Sequence, residues 1–210
     1  MCIRDRYQNN ALRIQTSNGT KAHADIAYKA IRIMPNETEH ATVNLLRYHD
    51  AGSAIVFCNT REAVRRLHAS LVERGFTAVA LSGELGQKER NAAMQALRDG
   101  HARVCVATDV AARGIDLPNL GLVIHAELPS DSETLQHRSG RTGRAGRKGV
   151  SVLLVPPARR RKAERLLAEA SVRPQWGPAP SPDDVRRKDE ERFLSCLLYT
   201  SPSPRDKRQS

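Results

Sequence analysis

Four arginines, Arg138, Arg141, Arg144 and Arg147, recur at every third position and alternate with glycines at 140, 143, 146 and 149. A guanidinium is planar, permanently charged and fork-shaped, which suits phosphate oxygens, and glycine lets a backbone approach a ligand without a Cβ in the way. The chemistry on offer is phosphate handling. Any basic run also has a plainer reading, a solvated loop, and the chain ahead of it favours the first. An apolar run at 103–107 ends in Thr108 and Asp109, a second apolar run covers 120–126, and the arginines follow directly. Polar residues at the ends of strand-like runs are where a ligand edge forms.

The elements that must hold these residues alternate regularly. Residues 26–34 alternate apolar and polar, as an edge strand does. A short helix over 39–49, with Val43, Leu45 and Leu46 on one side, leads to AIVFC at 54–58. An apolar run of that length is buried on both faces and belongs to a parallel sheet covered by helices. Helices are predicted at 61–74, 87–98, 133–139 and 158–170, and further strands at 77–81, 103–107, 120–126 and 150–155. Strands alternating with helices of this length imply right-handed crossovers and an α/β, doubly wound parallel sheet. Ligands of such sheets bind outside the carboxyl ends of the strands. The loops there carry Arg61, Gln87, Thr108 and the 127–132 segment, so the polar chemistry falls on one edge. Asp109 is placed as the N-cap of a helix at 110–113.

The chain has 210 residues, enough for one domain with a full core, and a formal charge of +11, which suits a polyanionic partner. No apolar run approaches a membrane span and no signal peptide is visible, so a soluble, cytoplasmic protein is expected. The four cysteines form no CxxC pair; Cys58 and Cys105 fall in strand-like runs and are read as packing thiols, with no metal site. Residues 172–195 read as a Pro-rich linker and the start of a truncated extension. The two ends read differently. Back-translated, residues 1–6 and 196–201 are reverse complements over nearly their whole overlap, as sequencing-adapter DNA at the two ends of an assembled read would be. Residues 1–6 and 196–210 are therefore expected to be foreign to the natural chain.

IVFCNTR at 55–61, LSGELGQKER at 81–90, ATDVAARGID at 107–116 and HRSGRTGRAGRKG at 137–149 resemble, in order and spacing, four motifs of the second RecA-like domain of DEAD-box RNA helicases, with the look of bacterial members. The resemblance implies a RecA-like domain over 26–171, preceded by an interdomain linker at 7–25. It implies that Arg141 and Arg144 act as arginine fingers on ATP. Asp116, Arg113 and Gly114 would shape the nucleotide loop, with Asp116 on the ribose. His137 and Arg138 would couple the domain to the first RecA-like domain. Arg61, Gln87, Arg90, Thr108 and Gly114 would contact the RNA backbone. Each has a plainer reading: Arg61 and Arg90 as solvated helix starts, Asp116 as an Asx-turn, His137 as a local cap. Ser82-Gly83-Glu84 departs from the family's frequent His-Gly-Asp, and Gly86 replaces a larger polar residue.

No glycine is followed by lysine, so the phosphate-cradling GxxxxGK[ST] loop is missing, and so is a DEAD-type acidic motif. In this family both belong to the first domain, which would hold ATP and Mg²⁺. The expectation is the second motor domain of an ATP-dependent RNA helicase, inactive alone. The alternatives are a non-catalytic RNA-binding module and, less favoured, a DNA helicase domain of the same superfamily.

Overall fold

The computed structural model describes residues 25–113, 120–144 and 146–200. Its centre is a parallel sheet whose strands run β1 (Ile26–Arg32), β2 (Ser53–Phe57), β3 (Ala78–Leu81), β4 (Val104–Ala107), β5 (Leu120–His125), β6 (Gly149–Val155) and β7 (Gln175–Pro178). Their spatial order is β3-β4-β2-β5-β6-β1-β7, and every described pairing is parallel. The central strands explain the continuous apolar runs: β2 and β4 are buried at every residue. Two layers cover them. Val64, Leu67 and Leu71 of α2 (Arg61–Glu73) and Leu45 and Leu46 of α1 (Thr38–His49) meet Val56, Val106 and Ile124 on one face. On the other, Met94 and Leu97 of α3 (Gln87–Arg98) meet Ile55, Cys105 and Val123, while Leu135 of α4 (Ser132–Ser139) and Leu166 of α5 (Arg160–Glu169) meet Leu153 and Val155.

The alternation expected at 26–34 is present in the burial of β1, but β1 is not an edge strand. Residues 29–32 pair with β7, formed inside the stretch expected to be a Pro-rich linker. Four residues, the last of them Pro178, suffice because an outermost strand has its second side unpaired, where a missing N–H costs nothing. The charged run after 182 is the first half of α6 (Pro182–Thr200), which continues through residue 196, the expected start of a foreign tail. Val185 is buried, Asn44 donates to the Pro180 carbonyl at 2.8 Å, and Arg192 donates to the carbonyls of Arg47 and Tyr48 at 3.1 and 2.6 Å. Packing thus continues past the expected domain end at 171. Among the described residues no helix is long and apolar enough to cross a membrane.

Candidate functional site

The carboxyl edge of the sheet is organised by Arg138, whose side chain is 1% exposed although its helix begins at the surface. Its Nε and Nη2 donate to the two carboxylate oxygens of Asp109 at 2.6 Å each, Nη1 donates to the Glu127 carbonyl at 2.9 Å, and Nη2 also reaches Asn59 Oδ1 at 2.8 Å. The guanidinium lies 5.1 Å from the ring centroid of Phe57. One side chain therefore ties together the ends of β2, β4 and β5. A bidentate guanidinium–carboxylate pair fixes direction as well as distance, so the turn after β4 is held in place by α4. Asp109 was expected to cap residues 110–113; its carboxylate instead receives Arg138, and the Ala112 amide bonds the Thr108 carbonyl at 2.9 Å.

The arginine segment folds from α4, which begins at Asp131. The Asp131 carboxylate accepts the Thr134 amide at 2.7 Å, and the Ser130 hydroxyl and that amide hold its pKa down to about 2. Two glycines shape the exit. Gly143 has φ of 68°, and a Cβ there would lie 2.6 Å from Ile26 Cγ1; a Cβ on Gly149 would strike the Thr142 side chain and lie 2.5 Å from the Gly143 nitrogen. The Thr142 hydroxyl donates to the Leu120 carbonyl at 2.5 Å, which pins the loop to the start of β5.

The predicted residues divide around a cavity of about 100 Å³ lined by Phe57, Asp109, Arg113, Thr134, His137, Arg138 and Arg141. Arg141 and Arg113, expected on the nucleotide, are brought together here with His137. Arg144 is exposed and turns its Nε onto the Gly140 carbonyl at 2.9 Å, outside that lining. His137 and Arg138 were given one shared task, but their surroundings differ: His137 is 71% exposed beside Glu133, whereas every nitrogen of Arg138 is engaged within this domain. Asp116 and Gly114 lie outside the described residues. Arg61 starts α2, where Thr60 accepts the Ala63 amide, and its guanidinium meets Glu84 at 2.9 Å. Gln87 bonds Asn91 at 2.9 Å, and Arg90 reaches the Arg113 carbonyl at 2.7 Å, joining α3 to the loop after β4. Thr108, buried, donates its amide to the Leu81 carbonyl at 3.3 Å. Among the described residues no cluster of three His, Cys, Asp or Glu side chains is arranged as metal ligands.

A family model, the helicase conserved C-terminal domain, matches residues 37–146, which is 110 of the 210 residues. The chain belongs to that family. Its relatives are DEAD-box proteins. The ATP-dependent RNA helicase DbpA of Bacillus subtilis is 33% identical over 96% of this chain and 42% of its own length, and DbpA of Escherichia coli is 35% identical over 73% and 34%. The chain thus spans less than half of the curated relatives it matches. Among solved structures, the E. coli DEAD-box protein SrmB bound to the regulator RraA is 36% identical with a TM-score of 0.65, covering 76% of this chain and 93% of that one. Dbp5 of S. cerevisiae (L327V) bound to RNA and ADP BeF3 is 28% identical with a TM-score of 0.73, over 90% and 50%. The RecA-like doubly wound fold of a DEAD-box helicase C-terminal domain is thereby established.

This DEAD-box domain contains a buried polar group that sequence reasoning missed. His125 is fully buried at the end of β5; its Nε2 lies 3.0 Å from the Ser151 hydroxyl, which lies 2.9 Å from that of Ser139, and Nδ1 has no hydrogen-bond partner among the described residues. Burial, then the nearby Arg138 charge, drives the His125 pKa well below its ordinary value and keeps the ring neutral. Despite its serine and histidine content, this cluster has no access to substrate and serves to join β5, β6 and α4. A histidine ending an apolar run was the only signal in the sequence. Cys58 and Cys105 pack as expected, with burial pushing both thiols up to about 12.

Proposed function

We propose that this domain is the second half of an ATP-driven RNA-unwinding motor, completed by an N-terminal RecA-like domain that holds ATP and Mg²⁺. The observation that carries this reading is the meeting of His137 from α4 and Arg141 just after it with Arg113 and Asp109 from the loop after β4, around one small cavity at the strand ends. That cavity, about 100 Å³, is well below the roughly 300 Å³ from which small-molecule pockets begin, which suits one wall of a cleft closed by another domain. In this reading Arg141 and Arg144 stabilise negative charge on the γ-phosphate as it transfers, Asp116, Arg113 and Gly114 bound the nucleotide, and His137 couples the domains. Arg138 acts as the positioning residue beneath them. Preorganised donors of this kind contribute about 10³ to 10⁵ in rate to related phosphoryl transfers.

Arg61, Gln87, Arg90, Thr108 and Gly114 would hold an RNA strand by its phosphates without reading its bases. The binding of RNA and ADP BeF3 by the similar Dbp5 supports both substrates. Without a cradle loop in its sequence, the chain alone would not hydrolyse ATP. The test joins this chain to an intact homologous first domain and measures RNA-stimulated ATP turnover with and without Arg141→Ala. A loss of at least 10²-fold is expected; unchanged turnover would remove Arg141 from the reaction.

A further inference from the structure

At the same carboxyl edge, beyond the cavity described above, a second cavity of about 320 Å³ opens where β2, β5 and β6 end. Its polar lining is Thr38 at the start of α1, Asn59 after β2, Glu127 after β5, and Arg159 and Lys162 at the start of α5. Residues 159–162 are four consecutive cations; Arg160 pairs with Glu164 at 2.8 Å, and Glu127, the one acid in the described cavity lining, accepts the Asn59 amide at 2.5 Å. Arg159 and Lys162 have no ionic or hydrogen-bonding side-chain partner among the described residues and stand one helical turn apart on the cavity wall. Such a cluster sits at the end of a helix where cations are disfavoured by the backbone dipole, so it does not serve the stability of α5.

We infer that Arg159 and Lys162 form a second phosphate-binding station for the RNA backbone, continuing the strand track that begins at Arg61. The occupant follows from three observations. The chain carries a formal charge of +11, which favours a polyanion. The cavity has no aromatic residue on which a base could stack, so its ligand is backbone and its recognition is sequence-tolerant. It also adjoins the proposed RNA edge, since Asn59 in its lining, after the end of β2, stands two residues before Arg61. The inference rests on the RNA reading of that edge and extends it to longer strands.

The experiment uses the full 210-residue chain and fluorescence anisotropy with labelled oligouridylates of roughly 4 and roughly 16 nucleotides, the range of single-strand site sizes. Arg159→Gln with Lys162→Gln should weaken the longer RNA by about tenfold at about 0.1 M salt and lower its salt slope by about 1.4, the share of two phosphate contacts on a single strand. Binding of the short RNA should stay as in the parent, and the double variant should melt at the same or a higher temperature. Equal binding of the long RNA by parent and double variant overturns the proposal, as does a loss accompanied by a lowered melting temperature. Loss from Arg61→Gln but not from the double variant leaves the edge standing and removes this station; loss from the double variant alone does the reverse. A parent that binds neither length contradicts both.

Discussion

The site depends most on the Arg138–Asp109 pair. Asp109 is 39% exposed and can return to water, whereas Arg138 cannot, so the two halves of the pair are not equivalent. Asp109→Ala leaves a buried guanidinium without its carboxylate and should lower stability by about 3–5 kcal/mol in urea unfolding, a loss that no exposed arginine of residues 159–162 should match. His125 makes stability depend on pH. The unfolded chain takes up a proton near the ordinary pKa of 6.5, while the buried ring stays neutral to well below it. The stability this gives is complete above pH 6.5 and declines as pH falls, by about 1.4 kcal/mol per unit for such a group. His49, lowered to about 4 by burial and then by Lys29 and Arg192, adds a decline of the same sign between 6.5 and 4. His125→Gln should flatten the pH dependence of the melting temperature between pH 6.5 and 5; an unchanged slope would mean that His125 titrates normally in the fold.

Elements differ in how plainly the sequence announced them. The apolar runs of β2, β4 and β5 were legible because a strand buried on both faces has no polar positions to confuse the pattern. β7 was not, because QWGP at the sheet edge needs neither alternation nor apolar content, and its proline and glycine read as linker. The arginines at 138, 141, 144 and 147 stood out by type and spacing, but the inward turn of Arg138 was not legible, since a three-residue spacing gives all of them one rank while α4 buries only the first. Gly143 turns the loop that follows α4, three residues past its Gly140 cap. Gly143→Ala combines a left-handed backbone with contact on Ile26, and should cost on the order of 1–3 kcal/mol by thermal unfolding. Arg192 holds the last carbonyls of α1 from α6, so Arg192→Ala should cost about 1–2 kcal/mol by the same measurement; no change would show that α6 does not stay docked on α1.

The candidate residues that the structure describes lie along one edge of the sheet. Arg61, Arg90 and Thr108 lie towards β3 and β4, His137 and Arg141 above β5, and Arg159 and Lys162 towards β6. A continuous charged edge of this kind suits a partner laid across it, and a small open cavity suits a ligand that a second body brings. On this account, catalysis appears only when the two domains close on ATP and RNA together. The most direct measurement is single-turnover ATP cleavage by the joined two-domain protein at saturating ATP and RNA, which separates chemistry from binding. Arg141→Ala should slow cleavage by about 10³-fold while ATP affinity changes by less than about tenfold. Cleavage within about threefold of the parent rate would contradict the assignment of this edge to the transferring phosphate.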